Sequence, residues 1–198
     1  MLKRILLWLL RNVHAGEKHL AWNDPVVSSA PNTIVLASDD FEAGGAIPIR
    51  FAGKGVGENI SPSLKWSNIP ANTVELVLVM EDPDAPWPRP FVHLVAAGIS
   101  PSTTGLSVGA LSSDAASLGI TLGTGTLGRP GYSGPRAPVG FGPHRYIFEI
   151  FALSKKIDLA GPPKLSELLP KMDKSVLGRG KLEGIFEQKP PGQQAAGQ

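Results

Sequence analysis

The chain has 198 residues, a formal net charge of +2, 42% hydrophobic and 18% charged side chains, and no cysteine. That length suits one domain with one sizeable core, and a charge so near zero, with no Lys/Arg cluster interleaved with aromatics, gives no basis for a nucleic-acid binder. The missing cysteines exclude disulfides, thiolate catalysis and cysteine-type zinc sites, and they fit a reducing compartment.

The chain opens with "MLKRILLWLLRNVHAGEKHLAW". Its basic start and the apolar run at residues 5–10 imitate a signal peptide, but Arg11 follows at once and no small-x-small cleavage site adjoins it. The run is also too short to span a bilayer. Residues 1–24 are therefore expected to be an amphipathic extension that packs on the domain, on a partner subunit or on a membrane surface. A cytoplasmic protein is expected, with homodimerisation and peripheral membrane contact as the open associations. From about Thr33 the pattern turns to β: "TIVLAS" and "AIPIRF" predict short strands around the turn-prone "DDFEAGG". "GKGVGENISP" is a glycine-rich loop, "SLKWSNIP" a short strand ending at Pro70, and "TVELVLVM" the most apolar strand, followed by "FVHLVAAGI".

Residues 100–143 are rich in Gly, Ser, Thr and Pro and lack periodic apolar positions, so this stretch is expected to drape over the domain and carry function. "HRYIFEIFAL" alternates strongly, "PPKLSELLPKM" predicts a short helix with Leu165, Leu168, Leu169 and Met172 on one face, and "GKLEGIFEQ" predicts a closing strand. The domain is placed at 25–188, and "KPPGQQAAGQ" reads as a tail with nothing to bury, disordered over 189–198. With no repeat, no heptads and no βαβ alternation, the predicted fold class is mostly β, a β-sandwich with minor helical decoration.

Polar residues interrupt this pattern at few places. Asp82 and Asp84 stand at the end of an apolar strand in "DPDAP", stiffened by Pro83 and Pro86. Strict alternation along residues 91–97 puts His93 on a face with Phe91, Val95 and Ala97, surrounded by hydrocarbon. Along 144–153 it puts His144 with Tyr146, Phe148 and Ile150, and Arg145 on the opposite face with Ile147, Glu149 and Phe151. Each feature also has a structural explanation: a proline turn, a core histidine, a strand start. Spacing alone does not choose between those and a shared site.

"DPDAP" at 82–86 with His93 behind it, "GYSGPRAPVGFGPHRYIFEIFAL" at 131–153 and "ISPSLKWSNIP" at 60–70 together resemble the phosphatidylethanolamine-binding protein family, which includes the Raf kinase inhibitor protein and a bacterial branch. The short Pro86–His93 loop and the "GYSGP" lead look like the bacterial branch. The resemblance implies a β-sandwich around a large central antiparallel sheet and a small pocket for anions such as a phospholipid head-group phosphate. By position, Asp82, Asp84, Pro86, His93, Gly134, Pro138, Gly140, His144 and Tyr146 match the family's pocket residues. Departures touch the pocket wall: Ala137–Pro138 replaces a Pro-Pro pair, Leu94 follows His93 where bacterial members have Trp, and Phe141 and Pro143 are extra.

Such a pocket needs donors for a phosphoryl group: imidazolium N–H, loop amides, the Tyr hydroxyl, with Arg136 as a further rim cation or a solvated loop charge. The carboxylates would orient the histidines and accept from the ligand's own donors. The expectation is a non-enzymatic binding module for a phosphate-containing small molecule, lipid head group or phosphorylated side chain, acting as a kinase or protease inhibitor, with no cofactor and no metal. Two alternatives stay open. One is a metal-dependent hydrolase using Asp82, Asp84, His93 and His144; the other is a membrane-surface protein with a vestigial pocket.

Overall fold

The computed structural model describes residues 13–112 and 115–189. The apolar run at 5–10 and the tail from 190 onward lie outside those residues, and with them the expectations placed there. The described strands are β1 (Val35–Ala37), β2 (Leu64–Ser67), β3 (Glu75–Asp82), β4 (Phe91–Ile99), β5 (Gly105–Leu106), β6 (Thr121–Leu122), β7 (His144–Leu153) and β8 (Val176–Phe186). Two short helices accompany them, α1 (Pro25–Ser28) and α2 (Leu165–Leu168). All strand pairings are antiparallel. They form a three-stranded sheet ordered β1-β2-β5 and a five-stranded sheet ordered β6-β4-β3-β7-β8.

The main core lies between the sheets, where Leu36, Leu64 and Trp66 meet Leu78, Met80, Phe148 and Ile150. A second core lies behind the five-stranded sheet, where Val77, Val79, Val95 and Phe151 pack against Val27 of α1 and against Leu165, Leu168 and Met172. With both faces covered, β3 has no solvent side, which is why its sequence runs apolar without alternation. The predicted helix is split: one α turn over Leu165–Leu168 and a 3₁₀ turn over Leu169–Met172. Pro170 cannot donate to a continuing α ladder.

Two expectations are corrected. "AIPIRF" is not a strand. Ala46 makes one bridge to Ile185, and from Pro48 the chain turns into a 3₁₀ helix, Ile49–Phe51, with the Phe51 amide donating to the Pro48 carbonyl. The strict alternation of β4 also fails at His93. Met80 pairs with Leu94 but Glu81 pairs with Val92, so His93 is an extra residue in a β-bulge. Val95 and Ala97 face the rear core, Leu94 and Ala96 the main core, while the His93 ring lies against Tyr146 of the main core. The bulge turns His93 away from the face that alternation assigns to it.

Candidate functional site

The loop after β3, the start of β4, the start of β7 and the long irregular stretch enclose a cavity of about 350 Å³. Of the residues singled out from sequence, Asp82, Pro86, His93, Gly134, Pro138, His144 and Tyr146 line it. Asp84 and Gly140 do not. Gly140 is exposed in a turn at φ +82°, and Asp84 points behind the wall.

His144 opens β7, with its side chain almost wholly buried beside Asp82 at the end of β3. Its Nδ1–H donates to Asp82 Oδ2 at 2.9 Å, leaving Nε2 buried and without a protein partner. Asp82 Oδ1 accepts the Asp84 amide at 2.8 Å, so the carboxylate is held from both ends. His93 Nδ1–H donates to the Ser133 carbonyl at 2.6 Å. Burial pulls the His93 pKa below its usual value, against the opposing pull of Asp82 and the Ser133 carbonyl. This ring is therefore mainly neutral at pH 7, with its proton on Nδ1 and a lone pair on Nε2. The Tyr146 ring stands edge-on to His93 with centroids 5.1 Å apart, and its hydroxyl accepts the Arg136 amide at 3.1 Å. Burial, with the Asp82 charge adding to it, raises the Tyr146 pKa, so the phenol stays protonated.

The irregular stretch forms the opposite wall by close backbone approach. A Cβ on Gly134 would sit 2.1 Å from the Phe51 carbonyl oxygen, so only glycine lets the 131–138 strip lie on residues 51–53. Asn59 ties the strip down: its Nδ2 donates to the Tyr132 carbonyl at 3.2 Å and its Oδ1 accepts the Gly134 amide at 2.9 Å. The Tyr132 hydroxyl donates to the Phe51 carbonyl at 2.9 Å. Lys54, Arg129 and Arg136 are exposed lining residues, and none makes an ion pair with a described carboxylate. Sequence reading missed Asn59, Tyr132, Lys54, Arg129, Trp87 and Leu127. Of these Asn59 carried a signal, as a residue tolerant of positive φ (here 58°) at the end of a glycine-rich loop, and Tyr132 stands within "GYSGP".

Asp84 has a supporting task. Arg145 Nε and Nη2 donate to its two oxygens at 2.9 and 2.8 Å, and the Arg145 amide donates to Oδ2 at 2.9 Å. Burial pushes the Asp84 pKa up, but these bonds and the guanidinium charge outweigh it and leave the pKa below the usual carboxylate value. Arg145 is also paired with Glu17 of the N-terminal segment. That segment continues as a strap: the Ala15 and Gly16 amides donate to the Ala85 and Pro83 carbonyls at 3.1 and 2.8 Å. Further along, the Ala21 amide donates to Glu81 at 2.7 Å and the Trp22 amide to Glu149 at 3.0 Å. Burial raises the Glu81 pKa to about 8; burial and the neighbouring Glu81 charge raise that of Glu149 as well. Among the described residues no three His, Asp or Glu side chains gather as a metal ion would require.

A family model described as phosphatidylethanolamine-binding protein matches residues 37–187. A protein of Methanothermobacter thermautotrophicus known as a UPF0098 protein is 36% identical over 151 residues, covering 76% of this chain and 97% of that one. The crystal structure of a putative phosphatidylethanolamine-binding protein homolog, CT736 of Chlamydia trachomatis, is similar at TM-score 0.71 and 30% identity over 79% of this chain and 99% of that one. YbcL of E. coli, described as a new member of the mammalian family, matches at TM-score 0.74 and 26% identity over the same shares. With the two-sheet fold and a matching model over most of its length, this chain belongs to the phosphatidylethanolamine-binding protein family.

Proposed function

We propose that this chain is a non-enzymatic binding module whose cavity holds a phosphate-bearing group, on a lipid head group or a phosphorylated side chain, and that it acts in the cytoplasm by regulating a kinase or protease. The observation that carries the reading is the Asp82–His144 pair, which orients an unpartnered Nε2 in a cavity whose wall bears three cations free of described carboxylates. Nε2 can accept the P–OH of a monohydrogen phosphate or a monoanionic phosphate ester, or donate to a phosphate oxygen that carries no proton. The guanidiniums of Arg129 and Arg136 and the ammonium of Lys54 then meet the remaining oxygens. The same geometry weighs against a hydrolytic metal centre, because Asp84 spends both oxygens on Arg145.

Titration of the labelled protein with inorganic phosphate and O-phosphorylethanolamine, followed by two-dimensional NMR, tests this. Shifts clustered on 82–93 and 131–146, lost in His144→Gln while the remaining spectrum stays native, are expected. Silence toward phosphate with strong shifts on zinc addition would overturn the reading in favour of a metalloenzyme.

A further inference from the structure

The cavity has a neighbour. A second groove of about 520 Å³ lies on the other side of Trp87, sharing Trp87, Val92 and Gly125 with the first. It runs under the strap toward α2, with Lys18, Arg89 and Lys164 among its lining residues. With Lys54, Arg129 and Arg136 of the first cavity, six fixed cations among the described residues line the two grooves along the edge where they meet. Among the described residues the carboxylates of the two linings are three, and all are engaged. Asp82 is held by His144, Asp24 caps α1 through the Val26 amide, and Glu81 is buried and accepts the Ala21 amide. Nothing among the described residues neutralises the six by an ion pair.

Between these cations the same edge exposes large apolar side chains. Trp87 is 52% exposed, Leu127 65%, and Val139, next to the lining residue Pro138, 50%. Trp87 stands on a loop rich in prolines, "APWPRP", which holds it out at little entropic cost, with only the Phe91 ring edge-on at 6.3 Å. The described chain also begins here: the His14 ring bonds the Asp84 carbonyl, and Val13 before it is 45% exposed. The sequence ahead of Val13 is itself apolar at 5–10 with Lys3, Arg4 and Arg11 around it.

We infer that this edge is a docking surface for an anionic lipid bilayer, with Trp87 and Leu127 entering the head-group region and the six cations resting on acidic head groups. The charge complementarity chooses the occupant. A protein interface core is depleted in unpaired Lys, whereas a bilayer surface rewards cations spread around an indole and a leucine. The inference goes beyond the proposed pocket, since three of the six cations line only the second groove.

Cosedimentation of the full chain with phosphatidylcholine vesicles, with and without phosphatidylglycerol, is the test. Binding is expected only with the anionic lipid, weakening as salt rises. Each cation should be worth about fivefold in partitioning, so Arg89→Glu/Lys164→Glu should lose about 25-fold or more. That variant leaves the first cavity intact and should shift with inorganic phosphate like the parent protein. Trp87→Ser/Leu127→Ser should reduce binding at constant charge. If both variants bind vesicles like the parent while deletion of residues 1–12 abolishes binding, the edge is not the docking surface and the inference falls. Equal binding to uncharged vesicles would overturn it too. A parent protein that responds to phosphate but ignores all vesicles overturns the docking surface and leaves the pocket standing. Vesicle binding displaced by a phosphopeptide at low excess would reassign the edge to a protein partner, and a stable dimer by light scattering to a second copy.

Discussion

His144 and His93 share a cavity, but their neighbours give them different tasks. The carboxylate on His144 Nδ1 fixes the tautomer and the ring orientation, so Asp82→Asn, which can offer a donor or a weaker acceptor there, should weaken phosphate binding by about tenfold to a hundredfold. Calorimetry on a variant whose fold is checked by NMR measures that loss. His93 is held neutral by burial, and a bound dianion favours its protonated form. Binding at neutral pH then takes up a proton, and affinity must rise as the pH falls. Sulfate, which does not titrate in this range, isolates the effect: its affinity should tighten by up to about tenfold per pH unit below neutrality, and His93→Gln should flatten the profile. Gly134 works by having no side chain. Gly134→Ala drives a methyl against the Phe51 carbonyl and should cost about 1–3 kcal/mol, read as a lowered Tm together with lost phosphate shifts. Of these residues, both histidines and Gly134 were legible in the quoted motifs. The assignment of Asp84 to Arg145 was not, because strand register says which face a residue takes but not which loop crosses behind it.

Among the elements, the strap of residues 13–24 was the least visible in the sequence. It has no periodic apolar stripe, and its polar hold comes from backbone amides donating to carbonyls and carboxylates distant in sequence. The matching signal was a pair of glutamates, Glu81 and Glu149, inside otherwise buried strands. They project to the rear of the sheet, where Lys181 and Arg179 are the nearest cations acting on Glu149 and Arg179 lies over the Trp22 ring at 4.0 Å. Glu81 titrates near 8 when folded and near 4.5 when unfolded, so the folded state holds a proton that the unfolded chain has released. The direction follows from linkage: stability is full below about pH 4.5 and declines as the pH rises through 8. Urea denaturation at pH 5 and pH 8 should show the protein weaker at pH 8, and Glu81→Gln should narrow that gap. An unchanged gap would mean that Glu81 is not the group responsible. The β4 bulge was equally unreadable. A bulge is set by pairing with the partner strand, and a single sequence shows only one of the two strands.

For the whole molecule, the strongest strands came through. β3, β4, β7 and β8 were each recognisable because they run apolar or alternate over seven residues or more, and together they make most of the central sheet. The short strands β5 and β6 and the 3₁₀ turns did not, since two to four residues carry no period. Their place is decided by the core they close. The shape of the core, with one sheet covered on both sides, also explains why the pattern of elements favoured a sandwich while the large sheet had to come from family resemblance.

The outer side of β8 has a consequence for recognition. Backbone at 31–34 and 44–47 crosses it and takes up its amides and carbonyls: Ile34 N–H donates to the Arg179 carbonyl, Ile47 N–H to the Ile185 carbonyl and Ile185 N–H to the Gly45 carbonyl. The alternating glycines of β8 make room for this, since a Cβ on Gly180 would meet the Ile34 carbonyl oxygen at 2.2 Å. At the far side of the same sheet β6 is two residues long. Among the described residues the five-stranded sheet thus offers no free row of peptide groups to an extended peptide, which closes the route of strand addition there. Whatever macromolecule this protein meets across that sheet must be read by side chains and loops, and a stretch of foreign chain gains nothing by lying alongside it.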